Sequence, residues 1–170
     1  MEYLSLVKSA KKGDSDSFSK LIKLYEKDLY RVARAIVKND DDALDCIQDA
    51  ILRAFKSIKN LSKEEYFKTW LIKILINSCN NFISQRISLD SFENYSADSE
   101  ISIDRLHIEE ALGKLEEFMK IPIILYYFED MSIREIGKSL KISEGTVKSR
   151  LSRARNRLKE LLSINERRII

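Results

Sequence analysis

The chain has 170 residues, 44% of them hydrophobic and 34% charged, with only 4 Gly and 1 Pro. That is enough apolar mass for one ordinary domain or two small ones. It argues against a chain disordered throughout, and too few turn residues remain for a many-stranded sheet. The formal net charge of +3 is unevenly spread: residues 1–86 carry 16 basic and 12 acidic groups, 87–108 carry 1 and 5, 109–142 carry 5 and 7, and 143–170 carry 8 and 3.

The N-terminus (Met1-Glu2-Tyr3-Leu4-Ser5) lacks the basic-then-apolar layout of a signal peptide. No apolar run reaches the ~18–20 residues that span a bilayer. The sequence therefore predicts a cytoplasmic protein with no direct membrane insertion. A short first helix with Leu4 and Val7 breaks at Gly13. Asp14 to Asn39 then places Phe18, Leu21, Ile22, Tyr25, Leu29, Val32, Ala33 and Ile36 at amphipathic-helix spacing. Asp40, Asp41 and Asp42 are read as cap and first-turn charge for a helix over 43–57, with a buried stripe of Ile47, Ala50, Ile51, Ala54 and Phe55. After a loop near Asn60, Ser62 and Glu65 have the spacing of a capping box. The helix that follows holds Phe67, Trp70, Leu71 and Ile74 and runs to about Gln85. Cys46 and Cys79 have no metal-ligand spacing and read as small packing residues.

Residues 87–107 lose the helical periodicity and read as an acidic linker between a module over 1–86 and a second over 108–170. Helix resumes with Ile108, Ala111, Leu112 and Leu115. Pro122 is assigned to the first turn of a helix ending near Asp130, with Ile121 to Phe128 buried. Ser132 and Glu135 form a second capping box, opening a short helix to Leu140. After a turn at Lys141-Ile142, Ser143 caps a last helix with the seam Val147, Leu151, Ala154, Leu158 and Leu161.

Ser132 to Arg157 thus has the anatomy of a helix-turn-helix, with small Gly137 where the helices approach and Ile142 plugged into the core. At 100° per residue, Gly145, Ser149, Ser152, Arg153 and Asn156 lie opposite the buried seam of the second helix. Thr146, Lys148, Arg150, Arg155 and Arg157 lie along its flanks. Short residues over a groove floor suit base reading, and cations at its walls suit phosphate neutralisation. A solvated basic helix is the bland alternative; the preceding helix and turn favour DNA.

The run Ile142-Ser143-Glu144-Gly145-Thr146-Val147-Lys148-Ser149-Arg150-Leu151-Ser152-Arg153-Ala154-Arg155 resembles the −35-reading region of bacterial extracytoplasmic-function sigma factors. Response-regulator output domains share part of it, and the first module separates the two. Gly13-Asp14 with Phe18 and Tyr25 is similar to region 2.1 of that family. Asp45-Cys46-Ile47-Gln48-Asp49-Ala50, then Phe67-Lys68-Thr69-Trp70-Leu71-Ile72-Lys73-Ile74 and Asn77, are similar to its regions 2.2 to 2.4. The likeness covers about residues 5–86 and 109–162. Lys141 stands where the turn usually has Gly. Asn81 and Ser84 replace the usual Asp and Arg, which weakens any inherited account of how that helix reads bases.

The resemblance implies an all-α chain: a region 2-like bundle, a flexible acidic linker and a region 4-like helix-turn-helix. It implies a non-enzymatic initiation factor without cofactor or metal. Its partners would be core RNA polymerase, promoter DNA and an anti-sigma factor, commonly membrane-anchored. Polymerase would be gripped by the region 2.2 helix, here Asp45, Gln48, Asp49 and Leu52 on one polar face. The −10 element would be melted and a base captured at the loop 58–63. Asn60 there reaches a base edge, Lys56, Lys63, Lys68 and Lys73 follow phosphates, and Asn77, Asn80 and Asn81 supply amides on the next helix. The −35 element would fall to Ser143, Glu144, Gly145, Thr146, Lys148, Ser149, Arg150, Ser152, Arg153, Asn156 and Arg157. Trp70 reads as core rather than as a stacking platform. The linker's acidity fits either a polymerase channel or a plain tether.

A more distant sigma relative is the nearest alternative and changes little in mechanism; the other rivals are a stand-alone helix-turn-helix activator, a nucleic-acid enzyme and a protein adaptor. The enzyme is poorly supported, with one histidine, His107, no Gly-rich phosphate loop and no metal-like carboxylate cluster. The basic last block argues against the adaptor.

Overall fold

Gly13 and Asp14 fix where the long N-terminal helix begins. In the computed structural model, which describes residues 2–87, 108 and 110–166, α1 (Glu2–Lys11) closes at Gly13 with φ +102°, a left-handed conformation that glycine adopts freely. The Asp14 carboxylate accepts from the Ser17 hydroxyl at 2.5 Å and the Asp16 amide at 3.2 Å, starting α2 (Ser15–Val37). The Ser17 hydroxyl in particular holds that carboxyl below the usual range. The chain divides into two compact units, Met1–Tyr95 and Ser96–Ile170. Beyond Ile87, the expected linker lies outside the described residues, as does His107.

In the first unit, α2 ends at Lys38, whose φ is 62°. Asn39, rather than the aspartates, caps α3 (Asp40–Ser57), accepting from the Asp42 amide at 3.0 Å. The three aspartates form the first turn, where the helix dipole favours negative charge. They also tie outward: Asp40 accepts from Tyr30 at 2.7 Å and Arg34 at 2.5 Å, and Arg86 pairs with Asp42.

The buried face of α3 differs from the expected one. Ala43, Cys46, Ala50 and Ala54 are buried, Ile47 and Ile51 are half-buried, and Phe55 is 45% exposed, its ring edge-on to Phe18 at 5.2 Å. α3 packs against both α2 and α4, and small side chains let the backbones approach. Leu4 of α1 likewise points outward while Val7 and Ala10 are buried.

Two single-turn 3₁₀ segments, Ile58–Asn60 and Glu64–Tyr66, lead into α4 (Phe67–Ile87). The expected Ser62/Glu65 capping box is absent: Lys63 precedes the second turn without a side-chain cap, and the α-helix begins only at Phe67. α4 packs on α2, α3 and the second turn, so Phe67, Leu71, Ile72, Leu75, Ile76, Ser78 and Cys79 are buried around much of its circumference. Cys46 and Cys79 are free and buried, and burial pushes both thiols up, away from reactivity.

In the second unit, residues 110–113 are helical and Ala111, Leu112 and Leu115 are buried, while Ile108 is exposed. Then come α5 (Glu117–Tyr127), α6 (Ile133–Leu140) and α7 (Glu144–Glu166), with α7 packed on both others. Pro122 sits inside α5 rather than in its first turn, because the helix starts at Glu117. Only 122–125 of the expected apolar run are fully buried there; Tyr126, Tyr127 and Phe128 face outward.

The Ser132/Glu135 capping box is formed in both directions, at 3.3 Å and 3.0 Å. A Cβ on Gly137 would meet the Ile142 carbonyl oxygen at 2.9 Å, so the close approach is to the turn's own backbone. Lys141 closes α6 with φ 55°, and Ile142 is half-buried rather than fully plugged. Among the described residues no strand occurs, and no helix is long and apolar enough to cross a membrane.

Candidate nucleic-acid interface

Ser143 starts α7 by accepting the Thr146 amide at 3.0 Å, and Val147, Leu151 and Ala154 bury the inner seam. That seam fixes which side is free. Ser143, Glu144, Gly145, Lys148, Ser149, Ser152, Arg153, Asn156 and Arg157 are exposed, while Thr146 and Arg150 are half-buried. Arg150 lies over the Phe118 ring at 5.7 Å, which anchors it to α5. Arg157 pairs with Glu160 at 3.0 Å and Arg155 donates to the Tyr127 hydroxyl at 3.4 Å. The outward stripe therefore has small hydroxyl and amide groups and the Arg153 guanidinium at its centre, with Lys148 and Arg157 beside them. Such a stripe can place donors and acceptors on base edges in a major groove.

In the first unit, α4 exposes Asn77, Asn80, Asn81 and Ser84 along one side, with half-buried Lys73 and Trp70 in line with them. Trp70 lies between the two roles considered for it: its ring centroid is 5.8 Å from that of Phe67, and the residue is half-buried. Lys56, Lys59, Asn60 and Lys63 are exposed at and around the first 3₁₀ turn. Lys68 is placed apart from them. Its ammonium pairs with Asp28 at 3.2 Å and lies 5.9 Å from the Tyr25 ring, tying α4 to α2.

The polar face of α3 carries exposed Asp45, Gln48 and Lys56 around Leu52, which is 59% exposed. Asp49 is half-buried and accepts from Arg53 at 2.6 Å. Exposed Leu44 and Phe55 extend this face sideways into an apolar margin. Sequence reasoning missed that margin because it assigned Phe55 to the core. It also missed Tyr66, 49% exposed at the end of the loop with the Lys63 ammonium 5.9 Å from its ring. An aromatic three residues after Lys63 was the available signal.

Comparison with known proteins adds three findings. The family models for sigma-70 region 2 and sigma-70 region 4 match residues 21–87 and 105–158. The RNA polymerase sigma factor SigV of Bacillus subtilis is 34% identical over 76% of this chain and 81% of its own length. The ECF RNA polymerase sigma factor SigW of the same organism is 30% identical over 92% of this chain and 94% of its own. Among solved structures, the sigma factor RpoE of Bartonella quintana, crystallised with the anti-sigma factor NepR, aligns with a TM-score of 0.68 at 28% identity. That alignment covers 86% of this chain and 97% of RpoE.

Proposed function

This chain belongs to the extracytoplasmic-function sigma factors of the sigma-70 family, and we propose that it divides the work of promoter-specific initiation between its two units. Core polymerase docks on α3 through Asp45, Gln48, Asp49 and Leu52. The observation that carries this reading is Leu52, an aliphatic side chain 59% exposed in the middle of a polar stripe. Burying it against a partner releases water, while the flanking carboxylates favour a basic surface.

The −10 element is read by the loop 58–63 and α4. The amides of Asn60, Asn77, Asn80 and Asn81 meet base edges of an opened strand, and Lys56, Lys63 and Lys73 follow its phosphates. Lys68 acts from behind by holding α4 on α2. The −35 element is read by α7, with Ser149, Ser152, Arg153 and Asn156 on the bases, and Lys148 and Arg157 on phosphates. Ser143, Glu144, Gly145, Thr146 and Arg150 shape the entry of the helix into the groove. Two linked units that bind two elements gain avidity over either alone.

The chain contributes binding energy rather than a bond-making group, and it works in the cytoplasm, where polymerase and DNA meet. RpoE, at 28% identity, was crystallised with an anti-sigma factor, which supports an inhibitor of that kind here, anchored in the membrane as the family resemblance implies.

Run-off transcription with purified core polymerase tests the reading: the chain alone suffices for initiation from a shared pair of upstream motifs. A requirement for a second sigma factor would reject it in favour of a helix-turn-helix activator. Arg153→Ala weakens −35 binding and spares core association, and Asp49→Ala does the reverse. Equal loss of both activities in either variant counts against the division.

A further inference from the structure

We infer that Lys11, in the last turn of α1, positions the loop that receives the extruded −10 base; the inference rests on the reading of residues 58–63 as that loop. α1 packs against both single-turn 3₁₀ segments that bracket the loop. The Lys11 ammonium donates to the Leu61 carbonyl oxygen at 2.8 Å and to the Glu64 carboxylate at 3.0 Å, reaching 50 and 53 residues along the chain. Both charged side chains are only about a quarter exposed, at 22% and 26%.

The first contact fixes geometry. Leu61 buries its side chain, and Lys11 holds the carbonyl of the peptide that follows it. With side chain and carbonyl both held, the backbone next to exposed Asn60 has little freedom left. A base turned out of a stack is recognised only if its acceptors and donors are already in place, since ordering them at the moment of binding costs affinity. The second contact sets charge. The loop between Lys56 and Lys63 is otherwise cationic, and the Lys11 ammonium both pairs with Glu64 and holds its carboxyl below the usual range. Without the ammonium, an unpaired carboxylate stands beside the path of the strand and repels its phosphates. Lys11 is thus a positioning residue, acting through the loop rather than on DNA.

The test uses the full chain assembled with core polymerase, on a promoter where the wild type initiates. It is run with intact duplex and with the same sequence premelted across the −10 element. Lys11→Met is expected to weaken binding to the premelted template about tenfold and to slow opening of the duplex at least as much. Affinity for core polymerase and for an isolated −35 duplex stays unchanged. Lys11→Arg, which can donate to both acceptors, retains most of the activity. Lys11→Met with Glu64→Gln recovers the part of the loss that depends on salt.

Lys11→Met that matches the wild type on both templates overturns the inference. So does a loss of core affinity in step with the loss of opening, which would mark a purely structural role. A wild-type holoenzyme that initiates normally but ignores substitutions at Asn60 overturns the reading of the loop itself, an outcome separable from an indifferent Lys11→Met.

Discussion

The helix proposed to meet the −10 strand and the helix proposed to meet the −35 duplex are built differently. α4 is more enclosed, with Phe67, Leu71, Ile72, Leu75, Ile76 and Cys79 buried around much of its circumference and Asn77, Asn80, Asn81 and Ser84 exposed along one side. α7 is buried along one seam, Val147, Leu151 and Ala154, with Thr146, Arg150 and Leu158 half-buried beside it, and is exposed on its outward side. The chemistry of the two proposed targets would account for the contrast. A duplex arrives as a rigid groove that a helix must enter, so α7 needs most of its circumference free. An unstacked strand is flexible, so rigidity must come from the protein, and α4 obtains it from burial on several sides.

Core truncation breaks this comparison most forcefully. Leu71→Ala removes a fully buried side chain from an enclosed site that has little room to collapse. A loss near the top of the usual range, about 4 kcal/mol, is expected in chemical unfolding. Leu151→Ala, equally buried but on a helix whose outward side is exposed, should cost less, nearer 2 kcal/mol. Equal losses would mean that the two helices are equally confined.

Next comes Gly137→Ala. Its new methyl would lie 2.9 Å from a backbone oxygen that cannot move without shifting the turn. A destabilisation of about 1–3 kcal/mol is expected, with −35 binding lost and core association kept. A variant that melts like the wild type would show that the turn yields.

Arg153→Ala removes an exposed guanidinium from the centre of the α7 stripe. It should weaken binding to the −35 duplex by about 1–2 kcal/mol, by direct titration in fixed salt. If only the salt slope falls, by about one, and discrimination between sequences is retained, Arg153 contacts phosphate and the base-reading role passes to Ser149, Ser152 and Asn156.

Strong periodicity and local turn chemistry were readable: Phe18, Leu21, Leu29, Val32, Ala33 and Ile36 of α2, Val147, Leu151 and Ala154 of α7, and the Ser132/Glu135 capping box all lie where the sequence put them. The choice of which α3 side chains fit between close neighbours was not. Hydropathy ranks Phe55 and Ile47 above Ala43 and Cys46 as core, but α3 lies between α2 and α4, where only small side chains fit, and the large ones are displaced to the edges. Contacts between residues far apart in sequence escaped too. The lysines look alike in the sequence, yet Lys68 is held by Asp28 and Lys11 by Leu61 and Glu64, while Lys56, Lys59 and Lys63 are exposed. The absent Ser62/Glu65 box has the same origin: the segment folds as a 3₁₀ turn with Glu64 drawn to α1.

The smallest predicted effect compares the two units through one shared device, since each ends a helix on an exposed lysine in the left-handed region. Lys38 closes α2 with φ 62° and Lys141 closes α6 with φ 55°. A side chain there costs roughly 1–2 kcal/mol. Glycine relieves that strain but gains freedom in the unfolded chain, which returns about 0.4–1 kcal/mol. Lys38→Gly and Lys141→Gly should therefore each stabilise the protein by about 0.5 kcal/mol, a shift of one or two degrees in Tm. Equal gains would place the strain in the residue itself. A markedly larger gain from Lys141→Gly would place it in the turn, where the Ile142 carbonyl oxygen leaves no room for a side chain at Gly137.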